Sequence, residues 1–96
     1  MTLVEQMCVL AMDAGIELDL VERDRMAFKV GDLPVRVNEG TRISGWRTPT
    51  PTWSVVACVG DIEVSVHACM LTEPEKKARV TAEHMMAMIW AAVEVQ

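Results

Sequence analysis

Val30-Gly31-Asp32-Leu33-Pro34-Val35-Arg36-Val37 recurs as Val59-Gly60-Asp61-Ile62-Glu63-Val64-Ser65-Val66, at an offset of 29 residues. In each copy a Gly-Asp pair separates two alternating runs. Glycine at the first turn position supplies the positive φ that a two-residue type II′ hairpin needs. Such a turn sets Val30 against Leu33, Phe28 against Val35 and Met26 against Val37, all apolar and on one face, with Lys29 and Arg36 on the other. The second copy puts Trp53, Val55, Ala57, Val59, Ile62, Val64, Val66 and Ala68 on one face. Ser54, Cys58, Glu63, Ser65 and His67 take the opposite face. A slip of one residue would invert every assignment, so the pattern predicts two hairpins in defined registers.

Upstream, Ile16, Leu18 and Leu20 alternate with Glu17 and Asp19, a half-buried strand. A three-residue turn, Arg23-Asp24-Arg25, pairs Leu20 with Phe28 and Leu18 with Val30 and keeps the apolar face whole. The expected result is a three-stranded meander followed by a hairpin. Before it, Thr2 and Glu5 have the form of a capping box. Leu3, Met7, Leu10, Ala11 and Ala14 follow helical spacing up to Gly15. After it, Ala78, Ala82, Met85, Met86, Ile89 and Val93 form one stripe of a second helix, starting at Thr72 or Thr81. Between the hairpin units, residues 39–52 hold two Gly, two Pro and four Thr and read as a long irregular loop. The fold class is α+β in one domain, residues 1–96: N-terminal helix, antiparallel sheet of about five strands, C-terminal helix.

The chain has 96 residues, 51% of them hydrophobic, and a formal charge of −5. That composition supports a modest core and weighs against direct nucleic-acid binding, which needs a basic face. Three cysteines, Cys8, Cys58 and Cys69, form neither an even disulfide framework nor a C-x-x-C pair. The longest uncharged apolar run, Met85 to Val93, has nine residues against the roughly 20 that span a bilayer. The N-terminal residues carry no signal-peptide pattern. The expected setting is soluble and cytoplasmic, with no membrane partner.

Two regions stand out as contact candidates. The back of the second helix shows Val80, Ala87, Met88, Trp90, Ala91 and Val95 with only Glu83 and Glu94 for polarity. A helix apolar most of the way round is covered on two sides, so Val80, Met88, Trp90, Ala91 and Val95 are read as partner-binding, with the N-terminal helix as the competing cover. On that reading Trp90→Asp breaks association and leaves a folded chain. In the loop, Arg42 and Arg47 flank Trp46, a set that can grip a carboxylate, a phosphate or a stacked base. The P-loop spacing is missing, and a plain connector is the alternative. His67, Cys69 and Cys58 invite a zinc site. However, Cys58 falls opposite Glu63, and His67 lies about 13 Å further along the strand. No catalytic residues, metal or cofactor are assigned.

These features predict a non-enzymatic protein-binding module, a small acidic inhibitor or adaptor that occupies a partner surface. By size and charge it is similar to phage-type inhibitors of CRISPR or restriction complexes. The element order over the whole chain resembles that of the specialised secretion chaperones, which implies an acidic homodimer holding effector segments; here a Pro/Thr loop stands where that family has a helix. The remaining alternative is a small-ligand or phosphate binder, or an enzyme, working through Arg42, Trp46 and Arg47.

Overall fold

A computed structural model describes residues 2–44, 47, 50–69 and 74–96, with side chains at 2–40, 47, 52, 54–67 and 79–96. The chain runs α1 (Leu3–Asp13), β1 (Leu18–Val21), β2 (Arg25–Val30), β3 (Leu33–Ser44), β4 (Thr50–Val59), β5 (Ile62–Cys69) and α2 (Pro74–Val95). All five strands form one antiparallel sheet in sequence order, β1-β2-β3-β4-β5. This is the expected α+β architecture.

Both Gly-Asp hairpins form in the expected registers. Met26 pairs with Val37, Phe28 with Val35 and Val30 with Leu33; Val55 pairs with Val66, Ala57 with Val64 and Val59 with Ile62. Gly31 and Gly60 hold φ of 63° and 59°, the left-handed region that a side chain resists.

The first turn differs from expectation. The Glu22 N–H donates to the Arg25 carbonyl at 2.8 Å, closing a two-residue turn, Arg23-Asp24. Val21 therefore pairs with Met26 and Leu20 with Ala27. The register then shifts between Leu20 and Leu18, and Leu18 meets Phe28. The irregularity performs the task assigned to a longer turn, because one extra residue restores the parity of the strand. Leu18 returns to the core side, where it packs on the cluster, and Leu20 is left facing the other way.

The long loop is also replaced. Residues 39–44 and 50–52 continue β3 and β4 as an extended hairpin, with Glu39 opposite Val55, Thr41 opposite Trp53 and Ile43 opposite Pro51. Thr and Ile are β-branched and favour extended backbone. Pro51 lies beyond the last β4–β5 pair among the described residues, Thr52 with Cys69, and no described strand flanks β4 on that side there, a position at which a sheet accepts proline.

Both helices pack on the same face of the sheet. The core joins Leu3, Val4, Met7, Cys8 and Ala11 of α1 and Met26, Phe28, Val35, Val37, Val55, Ala57 and Val59 of the sheet to Ala82, Met85, Met86, Ile89 and Ala92 of α2. α1 and α2 touch each other, and α2 also covers β5. Burial raises the Cys8 thiol pKa, with the Glu5 charge adding to the shift.

The start of α1 is tied down in two ways. In the capping box, the Thr2 N–H donates to Glu5 Oε1 at 2.8 Å and the Glu5 N–H to Thr2 Oγ1 at 3.1 Å. From the sheet, Glu39 accepts from the Val4 N–H at 2.8 Å and the Leu3 N–H at 3.4 Å. A carboxylate here satisfies helix donors that have no intrahelical partner and complements the helix dipole. At the other end, Gln96 Nε2 donates to the Val59 carbonyl at 2.6 Å, pinning the end of α2 to the second Gly-Asp turn.

Candidate interaction surfaces

The parity of the strands that builds the core also builds a second surface. The alternate residues of β2 to β5 point away from both helices. Ala27, Arg36, Cys58 and Glu63 form one row across the four strands, and Arg25, Asn38, Val56 and Ser65 form the next. Ala27, Val56, Cys58 and Ser54 are half-exposed, while Lys29, Arg36, Asn38, Glu63 and His67 are exposed. The small half-exposed residues, Ala27 on β2 and Val56 and Cys58 on β4, flank the exposed Arg36 and Asn38 of the central strand β3.

Charge on this face is uneven. Arg25, Lys29 and Arg36 stand on β2 and β3, against Glu63 on β5, in a chain whose total is −5. Arg25 is paired with Glu22 at 2.7 Å, which holds its charge, raises its pKa and clips the first turn. Lys29 and Arg36 have no ion-pair partner among the described residues. The acidic majority of the chain lies elsewhere, on the turns, on β1 and on the helices.

No family model, curated protein or solved structure matches the chain.

The five helix residues read as partner-binding do not share one surface. Trp90 turns inward: it is half-buried on the core cluster, its ring centroid 6.4 Å from that of Phe28 at an interplanar angle of 49°. Its exposed edge borders a depression of about 370 Å³ together with Glu17, Asp19 and Lys29. Met88 is half-buried on the opposite flank of α2, since two helical residues differ by about 200°. Val80, Ala91 and Val95 are exposed, Val80 and Val95 at 56% and 78%. The outward arc of α2 is therefore Val80, Glu83, His84, Ala87, Ala91 and Glu94, narrower and more polar than the sequence implies.

Of the Arg/Trp group, Trp46 lies outside the described residues. Arg42 is placed by its backbone alone, opposite Thr52 in the extended hairpin, and Arg47 is exposed. The zinc candidates fall as the register predicted, with Cys58 opposite Glu63 and His67 opposite Ser54. Among the described residues no three His, Cys, Asp or Glu side chains converge in a way that could hold a metal. No described helix is long and apolar enough to cross a membrane.

The two edges of the sheet differ. β1 has four residues and a broken register. β5 has eight residues in unbroken register with β4, no proline, and Glu63 as its one acidic residue. Sequence reasoning assigned the residues of the open face correctly but did not treat them as a surface. The available signal was that two helices, each with one apolar stripe, cover one side of a five-stranded sheet and leave its polar alternates in water.

Proposed function

We propose that the chain is a non-enzymatic protein-binding module, an inhibitor or adaptor that lays the uncovered face of its sheet on a partner. The observation that supports this is an uncovered sheet face on which the exposed Arg36 of the central strand stands between the small, half-exposed Ala27 and Cys58, with Lys29 on the neighbouring strand, neither cation ion-paired among the described residues. Small residues on either side leave such a cation accessible to a partner, and exposed charges give orientation and encounter rate more than raw affinity. The partner that fits is a protein surface offering carboxylates to β2 and β3. The size and acidic balance of the chain suit an inhibitor of a host-defence complex of the anti-CRISPR or anti-restriction type.

The test is site-specific photo-crosslinking in the native cells, with benzoylphenylalanine at Ser54 on the open face and, separately, at Ala91 on the outer arc of α2. The reading expects one partner crosslinked from position 54 and lost when Lys29→Glu and Arg36→Glu are added. A partner crosslinked only from position 91 would move the contact to the helices, and no partner from either position would overturn the binding role.

A further inference from the structure

We infer that β5 is the interface of a symmetric homodimer, in which two copies pair their β5 edges antiparallel about Ser65 and join two five-stranded sheets into one. The inference concerns the edge of the sheet and stands whether or not the open face takes a partner.

Exposed edges are normally blunted by shortness, irregularity, proline or charge. β1 is blunted in three of these ways, being four residues long, shifted in register and carrying Asp19. β5 runs eight residues in unbroken register and carries one acidic side chain. Such a strand is a template for another strand.

Its own sequence says which strand fits. The two-residue turn closes on a hydrogen-bonded pair, Val59 with Ile62. Alternation then aims the backbone groups of Ile62, Val64 and Val66 at β4 and those of Glu63, Ser65 and His67 outward. Two β5 strands related by a two-fold axis at Ser65 bring exactly those outward groups together. Glu63 then faces His67 of the second copy, twice over, and Val64 faces Val66 of the second copy. On the open side a carboxylate meets an imidazole that can donate a hydrogen bond to it, and apolar residues meet on the helix side, where Val64 and Val66 are half-exposed in the single chain. Moving the axis by one residue, to Val64 or Val66, puts Glu63 against Ser65 or against Cys69 and loses the carboxylate–imidazole match. An isologous interface must be complementary to itself, and β5 is complementary to itself about one residue.

Sedimentation velocity on the full chain at micromolar concentration tests this, with twice 10.7 kDa as the expected mass. Ser65→Pro removes an outward N–H and leaves the β4 ladder intact, as edge strands permit. It is expected to weaken the dimer roughly 100-fold or more, with the circular-dichroism spectrum of the folded chain retained. Glu63→Lys and His67→Glu should each weaken it by about tenfold, and the two together should restore it. A wild-type monomer, or a dimer unchanged in a folded Ser65→Pro chain, overturns the proposal; failure of the double exchange to restore a dimer overturns the register. A monomeric Ser65→Pro chain that still crosslinks to a partner from position 54 would separate this interface from the open face.

Discussion

Glu39, in the middle of β3, accepts a hydrogen bond from the backbone N–H of Val4, 2.8 Å away, in the opening turn of α1. One side chain thus joins the first helix to the sheet 35 residues later in the chain. It does so with a charge placed where helix donors are otherwise unsatisfied. Glu39→Ala should lower stability by about 1–3 kcal/mol, and Glu39→Gln by roughly half as much, because the amide oxygen still accepts but carries no charge. Urea denaturation of the three proteins checks the order.

The Glu5 carboxyl is held below the ordinary carboxylate value, first by the Thr2 backbone N–H and then by the Thr2 hydroxyl. A depressed folded-state pKa contributes stability that is present above the unfolded value and lost as pH falls through the folded one. Glu5→Gln keeps the shape of the capping box without the charge. Wild type should therefore exceed Glu5→Gln in urea midpoint near neutrality, and the gap should close below pH about 4. A gap independent of pH would show that the carboxylate charge contributes nothing.

Gly60 and Gly31 occupy equivalent turns but differ in surroundings. A Cβ at Gly31 meets open space, whereas one at Gly60 comes within 2.6 Å of Leu33 Cδ1 and also meets the Gln96 side chain. Gly31→Ala should cost about 1–2 kcal/mol from backbone conformation alone. Gly60→Ala should cost roughly 1 kcal/mol more, because it also displaces the Gln96 anchor of α2. In a Gln96→Ala background that excess should shrink, which a double-mutant cycle measures directly.

Trp90 packs on Phe28, and the adjacent Ala91 is exposed. Trp90→Ala should destabilise by about 2–3 kcal/mol, less than for a fully buried indole, whereas Ala91→Asp should stay within roughly 1 kcal/mol of wild type. Thermal melts distinguish the two. Trp90→Asp therefore disturbs core and surface together, and Ala91 and Val80 are the positions that report on the outer arc of α2.

The two Gly-Asp hairpins were legible because alternation and a two-residue turn reinforce each other, and only one register keeps Met26, Phe28, Val35 and Val37 together. The capping box at Thr2 and Glu5 was legible because it is local. The extended hairpin was misread because Gly40, Thr48, Pro49 and Thr50 look like turn residues by composition, while the β-branched Thr41 and Ile43 follow strand preference. The irregularity at Leu18 and Leu20 was beyond local reading, since no glycine or proline marks it in Leu18-Asp19-Leu20. The same holds for the open face, whose residues were assigned but whose exposure follows only from both helices choosing one side.

The order of elements has a consequence for how the chain is made. Every strand pairs with its neighbour in sequence, so the sheet can assemble as it emerges from the ribosome, without waiting for distant segments. α1, synthesised before the strands, covers part of it. Val55, Ala57 and Val59, however, are closed over only with the help of Met85, Ile89 and their neighbours on α2, which is synthesised after the whole sheet. During that interval the nascent chain presents an apolar sheet face with half a roof, the kind of surface that recruits chaperones or aggregates. A ribosome stalled before α2 would hold the sheet in that state, which makes docking of α2 the step that closes this core.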